Sequence, residues 1–290
     1  MAFEFVHFED LAEPLTVDRN LQSCQVAGMT LKQLQEKFLS PLNGLGKTVF
    51  VRSNAWIGEN GVQEILNKKT DLVDDKGIVL ASFDKGSMLK TAVPGVALED
   101  SFEIKYAWDL LKINESIIAA LDEDLIEGQV YKSAVIEGKV QIGKGTKILP
   151  GVYIEGNAII GENCKIGPNC YIRGNTFIGD NCHIGQSVEI KNCLIMDKTN
   201  VGHLSYVGDS VLGTRVNFGA GTTVSNLRHD NSNHYSMVQG NLVNTGRRKF
   251  GVVIGDGVHT GINTSFYPGR KVWPGMTTLP GEVVSKDKNQ

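Results

Sequence analysis

The 290-residue sequence has no apolar run long enough to cross a bilayer as a helix. Its first residues, MAFEFVHFEDLAEPL, carry acids where a secretory signal needs a positive start, so a cytoplasmic protein with reduced thiols is expected. None of the five cysteines (Cys24, Cys164, Cys170, Cys182 and Cys193) belongs to a CxxC pair, and packed thiols are expected in place of metal ligands. An excess of one charge is also missing. With 29 basic and 32 acidic side chains, the net charge of −3 offers no general attraction for nucleic acid or an anionic membrane. Proline is scarce, at 8, although glycine reaches 33, which argues against a collagen-like or low-complexity segment. The stretch NGLGKT lacks the first glycine of a phosphate-binding loop, because Pro41 stands there, and it is read as a turn.

What the sequence has is a repeat. Isoleucine recurs every sixth residue at Ile136, Ile142, Ile148, Ile154, Ile160, Ile166, Ile172, Ile178, Ile184 and Ile190. A period of six matches neither a helix nor a lone strand. Four residues after each isoleucine stands a small or apolar residue, from Val140 and Thr146 through Cys164, Cys170 and Cys182 to Leu194. Six residues make one short strand and one turn, and three such units close a triangular coil. Successive coils then stack as parallel strands about 4.8 Å apart. Isoleucines fill the interior, and glycines such as Gly143, Gly161 and Gly179 permit the tight turns. The phase continues through Met196, Val201, Val207, Leu212, Phe218 and Val224. It breaks over 227–250, read as a loop extruded from one corner, and resumes at Val253–Ile254, Phe266 and Val272.

The fold class is therefore mainly β, a parallel β-helix of hexapeptide repeats preceded by a small α/β domain. The expected boundaries are a first domain over 1–106, a linker helix over 107–126, the β-helix over 127–280 and a fraying polar tail over 281–290. In the first domain, MTLKQLQEKFL reads as helix, and KTVFVRSNAWIG and KGIVLASF read as strands.

Residues 18 apart share a column on one face of such a prism, which places Glu155, Arg173 and Lys191 above one another. Two stacked cations repel, and an anion held between them would offset that cost. Spacing alone leaves a second arrangement open, in which Glu155 pairs with Arg173 and Lys191 is solvated. His203 lies in GHLSYVGD, where the isoleucine rhythm falters, with Tyr206 three residues on. It is a candidate general base, though a lone histidine is more often a packed or surface residue.

The stretch from Ile166 to Asp230, with the blocks GHLSYVGDS and NFGAGTTVSN, closely resembles the acetyltransferase domain of bifunctional sugar-1-phosphate nucleotidylyltransferase/acetyltransferases. AWDLLKINESII resembles their connecting helix, and the likeness runs through RRKFGVVIGDGV to about Pro268. It implies a left-handed prism, a homotrimer, and transfer of acetyl from acetyl-CoA to a hexosamine-1-phosphate such as glucosamine-1-phosphate, supplying UDP-N-acetylhexosamine synthesis. The resemblance makes His203 the base that takes the amine proton. It makes Arg173, Lys191, Tyr206 and Lys249 the phosphate contacts, and Asn217 and Asn226 the residues that hold the sugar and its amine. The oxyanion formed on the thioester needs an N–H donor, and the backbone at Gly219-Ala220-Gly221 is the place assigned to it. No metal is expected: His183, His229, His234 and His259 do not have the spacing of β-helical carbonic anhydrases, and the loop pair His229 and His234 reads as solvated.

The sequence also departs from that family. About 106 residues stand where a complete nucleotidyltransferase domain would, without its glycine-rich fingerprint, so uridylyl transfer is not expected. Ile262 occupies the position of a coenzyme A-contacting serine, Leu227 that of an aromatic residue, and the basic C-terminal extension is missing. Two competing readings follow. One is a non-catalytic trimeric protein that binds a sugar nucleotide; the other is an acyltransferase with another acceptor, such as a nucleotide-linked amino sugar.

Overall fold

The computed structural model describes residues 3–90 and 95–289, which divide into two compact units. The first comprises residues up to Leu11, Asn20–Cys24 and Met29–Tyr106. Its sheet runs in the order Phe3–Val6, Val49–Arg52, Val79–Ser82, Leu72–Val73, Val96–Ala97, with both parallel and antiparallel pairs. Helices Leu31–Leu39 and Glu59–Lys68 accompany it. The first begins at a reciprocal cap in which Thr30 and Gln33 satisfy each other's backbone N–H groups. Leu39, Leu42, Val49, Val51, Ile65, Leu72 and Leu80 form its core. NGLGKT closes a short 3₁₀ turn, Ser40–Gly44, and leads into the strand at Val49.

The second unit is a three-sided parallel β-solenoid. Its first sheet stacks Leu125–Ile126, Val140–Ile142, Ala158–Ile160, Thr176–Ile178, Leu194–Ile195, Val211–Leu212, Val252–Ile254 and Arg270–Val272. The second stacks six strands from Gln129–Val130 to Asn217–Phe218, including His183–Gln186 and Asn200–His203. The third stacks eight, including Tyr153–Glu155, Tyr171–Arg173, Glu189–Lys191, Tyr206–Gly208, Thr223–Val224 and Ser265–Phe266. The pairs Ile142↔Ile160, Ile148↔Ile166 and Ile154↔Ile172 each join residues 18 apart, as the repeat requires. Those isoleucines are buried and form one continuous core with the corner residues Val152, Cys164, Cys170 and Cys182.

That core sets a stability prediction. Ile172 is fully buried between Ile154 and Ile190, so Ile172→Ala should cost about 2–5 kcal/mol, read as a lower denaturant midpoint. The thiols share the interior: burial pushes Cys170 and Cys193 up to about 12, which keeps them protonated and unreactive. At the corners a column of residues takes the left-handed backbone region, among them Gly174, Asn192 and Asp209. Asparagine and aspartate tolerate that region better than other side chains.

The periodicity differs from the sequence reading above Ile190. Ile178 pairs with Ile195 and Ile190 with Val207, steps of 17 residues, so Ile195 enters the core in place of Met196. Met196 points instead toward Arg19. The break over 227–250 is not a bare loop. It contains a β-hairpin, Tyr235–Val238 with Asn241–Asn244, whose turn residues Gln239 and Gly240 both have positive φ, as a tight hairpin turn needs. Leu212 pairs directly with Ile254, so the excursion leaves the ladder intact.

Two expected boundaries change. The helix of the linker region is Asp109–Ala119, and it belongs to the solenoid's own unit. Asn157 and Asn114 tie it to the coils, through Asn157 Nδ2 to Ile118 O and Asn114 Nδ2 to Asn175 O. With segments Ala12–Arg19 and Gln25–Gly28 it accompanies the first sheet, whose outward residues Phe177, Leu194 and Val211 are fully buried. Second, the tail does not fray at 281. Val283–Val284 pairs with Ser265–Phe266, and Asp287 and Lys288 bond to the backbone of Lys271. The ladder therefore continues past 280 because those residues still find backbone partners; Gln290 lies outside the described residues.

Candidate active site

The third sheet carries the stacked cations. Glu155 pairs in register with Arg173, and Arg173 with Lys191, which puts both basic side chains on one face. The structure does not adopt the arrangement in which Glu155 pairs with Arg173 and Lys191 is solvated. Each cation pairs with a carboxylate from a neighbouring position: Arg173 Nε and Nη2 lie 2.8 and 2.7 Å from Glu189 Oε1, and Lys191 Nζ lies 2.7 Å from Asp209 Oδ2. Glu155 instead accepts from the Tyr171 hydroxyl. The Glu189 carboxylate raises the already high value of the Arg173 guanidinium, which stays charged.

Tyr206 and Asn226 complete this cluster. Asn226 Nδ2 donates to the Tyr206 hydroxyl at 3.0 Å and to Asp209 Oδ2 at 2.5 Å. Burial, then the Asp209 and Glu189 charges, raise the Tyr206 phenol and keep it protonated. A second layer lies behind. Asn192 Nδ2 bridges Asp209 Oδ1 at 3.1 Å and Glu115 Oε1 at 2.6 Å, and Glu115 holds Arg247 from the excursion. The excursion closes where Leu227 pairs with Lys249 and Phe250 N donates to Asn226 O. Lys249 is half-buried there and has no ion pair among the described residues.

His203 is exposed at the end of its strand in the second sheet, and Tyr206 begins the next strand in the third, across one corner. His203 O accepts the N–H of Gly221 at 3.1 Å, which stacks the glycine-rich turn on the histidine. The expected donor turn is narrower than Gly219-Ala220-Gly221. Gly219 N bonds to Thr260 and Gly221 N to His203, so of the three only the Ala220 N–H is left without a partner among the described residues. Asn217 is half-buried in the second sheet, stacked between Asn200 and His259. Beside Asn226 a cavity of about 550 Å³ opens, lined by Ser225, Leu227, Arg228, His229, Asp230, Tyr267 and Pro268. That volume is in the range of small-molecule sites.

The structure thus joins Arg173, Lys191, Tyr206 and Asn226 on one face, with Lys249 beside Asn226. His203, Asn217 and Ala220 lie on the second-sheet side of the corner. Sequence reasoning missed Asp209, Glu189 and Glu115. The shortened coil concealed Asp209, which stacks beyond Asn192 at a step of 17, where the 18-residue rule points to Ser210.

His234 is not solvated. It is 2% exposed, and Nε2 lies 3.0 Å from the carbonyl oxygen of Asn226. Burial, with a smaller contribution from Arg228, holds the imidazole below its ordinary value, against partial offsets from the Asn226 and Arg248 backbone and from Asp209. The unfolded chain then binds the proton more readily, so this contribution to stability is complete above the ordinary value of about 6.5 and is lost as pH falls through it. Protection against hydrogen exchange across Tyr235–Val238, corrected for the intrinsic slowing of exchange in acid, should fall as pH drops below about 6.5, and His234→Gln should flatten that dependence. Among the described residues, no three His, Cys, Asp or Glu side chains gather in a way that could hold a metal ion.

The sequence profile of the GMPPB C-terminal domain family matches residues 154–265. A bifunctional sugar-1-phosphate nucleotidylyltransferase/acetyltransferase of Sulfurisphaera tokodaii is 41% identical over 185 residues, covering 64% of this chain and 46% of that protein. The bifunctional protein GlmU of Methanococcus aeolicus is 37% identical over 261 residues, covering 88% of this chain and 61% of that protein. Over these lengths the chain is similar in sequence to bifunctional sugar-1-phosphate nucleotidylyltransferase/acetyltransferases. It spans about half the length of these curated relatives. Among solved structures, the acetyltransferase domain of PglB from Neisseria gonorrhoeae FA1090 covers 84% of this chain and 89% of its own, with 15% identity and a TM-score of 0.27.

Proposed function

We propose that this protein is an acetyl-CoA-dependent N-acetyltransferase whose acceptor is a hexosamine-1-phosphate. The observation that carries the reading is the bonded cluster of Lys191, Tyr206 and Asn226, stacked on Arg173, with exposed His203 across one corner. Arg173, Lys191, Lys249 and the Tyr206 hydroxyl take the acceptor phosphate, and Asn217 and Asn226 hold the sugar. An ammonium has no lone pair for a thioester, so His203 accepts the proton as the amine attacks the acetyl carbonyl. The new C–N bond forms, the Ala220 N–H steadies the oxyanion, and the C–S bond breaks to release coenzyme A. Fixing the phosphate and sugar presents the amine in near-attack geometry. In this reading the protein works as a homotrimer, with acetyl-CoA in the groove between prisms, and without uridylyl transfer. The covered first sheet supports it, since the second and third sheets remain for packing.

The test is release of the coenzyme A thiol from acetyl-CoA with a panel of amino-sugar phosphates, where glucosamine-1-phosphate should give turnover. No thiol release with any acceptor would overturn the reading. One observation favours the alternative of a non-catalytic sugar-nucleotide binder: both stacked cations already have protein carboxylate partners. That alternative expects sugar-nucleotide binding in calorimetry with no thiol release, and no change on His203→Ala.

A further inference from the structure

Asp209 has no assigned part in the chemistry above, yet its carboxylate bonds to two residues that do, Lys191 and Asn226. Its side chain is 4% exposed, and it accepts from Lys191 Nζ at 2.7 Å, Asn192 Nδ2 at 3.1 Å and Asn226 Nδ2 at 2.5 Å. The first donor belongs to the phosphate end of the proposed acceptor site and the last to its sugar end.

We infer that Asp209 is a positioning residue that fixes the direction of the hydrogen bonds running from Lys191 through Asn226 to Tyr206 in the acceptor site. An ionised carboxylate can only accept. It therefore fixes the flip of the Asn226 amide, whose NH₂ group must face Asp209. The other hydrogen of that NH₂ goes to the Tyr206 oxygen, 3.0 Å away. Tyr206 then accepts from within and has its own proton to donate outward, the polarity that a phosphate oxygen requires. Asn226 is left with Oδ1 as its outward atom, an acceptor suited to the N–H of an amino sugar. Lys191 is set by the same anchor. Its ammonium sits on a flexible four-carbon stem, the side chain is 14% exposed, and among the described residues Asp209 is its ion-pair partner, so without Asp209 that anchor is lost. One buried carboxylate thus decides what both ends of the site offer. A carboxamide at 209 can either donate or accept, and it would leave the flip of Asn226 undetermined.

The inference rests on the acetyl-transfer reading and names a residue through which that site selects a phosphorylated amino sugar. Asp209→Asn is the informative variant, because asparagine tolerates the positive φ of 50° at this corner. In acetyl transfer to glucosamine-1-phosphate, it should raise the acceptor KM at least tenfold and leave the acetyl-CoA KM within about twofold. Calorimetry with glucosamine-1-phosphate should show the same tenfold loss. Combined with Lys191→Met, the effect should be clearly less than the product of the single effects, because both act through one contact. Competition offers the opposite sign: if Asp209 merely occupied Lys191, its removal would leave the acceptor KM unchanged or lower, and that result overturns the inference. A fall in kcat with both KM values unchanged, as from a reduced folded fraction, also overturns it. Should Asp209→Asn fail to fold, Asn192→Gly keeps the positive φ and removes one donor from the carboxylate. It should raise the acceptor KM about threefold, and an unchanged value overturns the inference. Wild-type protein that neither binds nor acetylates any amino-sugar phosphate brings down the acetyl-transfer reading itself, and this inference with it. Activity in the wild type with an indifferent Asp209→Asn removes only the role of Asp209.

Discussion

Replacing His203 with alanine is expected to lower kcat for acetyl transfer about 10²- to 10⁴-fold, the range of a lost general base, with the acceptor KM nearly unchanged. The expectation comes from where the side chain stands. His203 is exposed at a strand end, bonded to the solenoid through its backbone, so its removal should cost little stability. It belongs to neither the Arg173–Glu189 nor the Lys191–Asp209 ion pair, so acceptor binding should survive. Steady-state thiol release in the wild type and the variant measures the effect. A kcat within a few-fold of wild type would show that another group, or solvent, takes the proton.

The second large effect is expected at Arg173. Arg173→Met removes a guanidinium that meets Glu189 through two nitrogens and stands one coil from Lys191. A charged hydrogen bond is worth about 1.5–3 kcal/mol, so the KM for a hexosamine-1-phosphate should rise about 10- to 150-fold. The acetyl-CoA KM should hold. The unphosphorylated hexosamine serves as internal control: its already poor use should not worsen, because it presents no phosphate to the missing cation. A loss that is equal for both acceptors would place Arg173 in support of the scaffold and not of the phosphate.

These effects separate what the sequence could reveal from what it could not. The isoleucine column was legible because every interior position repeats one chemical demand, and a period of six has no other simple structural source. The same arithmetic placed Arg173 on Lys191 correctly. It failed beyond Ile190, where steps of 17 residues moved Ile195 inward and Asp209 beside Lys191. One missing residue in a turn is invisible to a pattern of apolar positions, since Ile195 and Met196 satisfy it equally well. The partners of the cations were hidden for a different reason. Glu189 and Asp209 bond diagonally, through side chains of unequal length, and the column rule ranks only residues directly above one another. His234 looked like a loop residue by position, whereas the hairpin around it buries it against Asn226. In the first domain, the helix at Leu31 and the strands at Val49 and Val79 were readable from local pattern. The pairing of Val49–Arg52 with both Phe3–Val6 and Val79–Ser82 depends on contacts distant in sequence, which no local window contains.

The excursion over 227–250 leaves the prism at Asn226 and returns at Lys249 and Phe250, so both of its feet stand in the proposed acceptor site. Whatever pulls on the hairpin must therefore shift Asn226 and Lys249, the proposed sugar and phosphate contacts, together, while the ladder beneath, closed from Leu212 to Ile254, is not disturbed. A graft, a truncation or a bound partner at Gln239–Gly240 would act as a handle on acceptor choice, and lineages could retune it by editing that appendage without rebuilding a single coil.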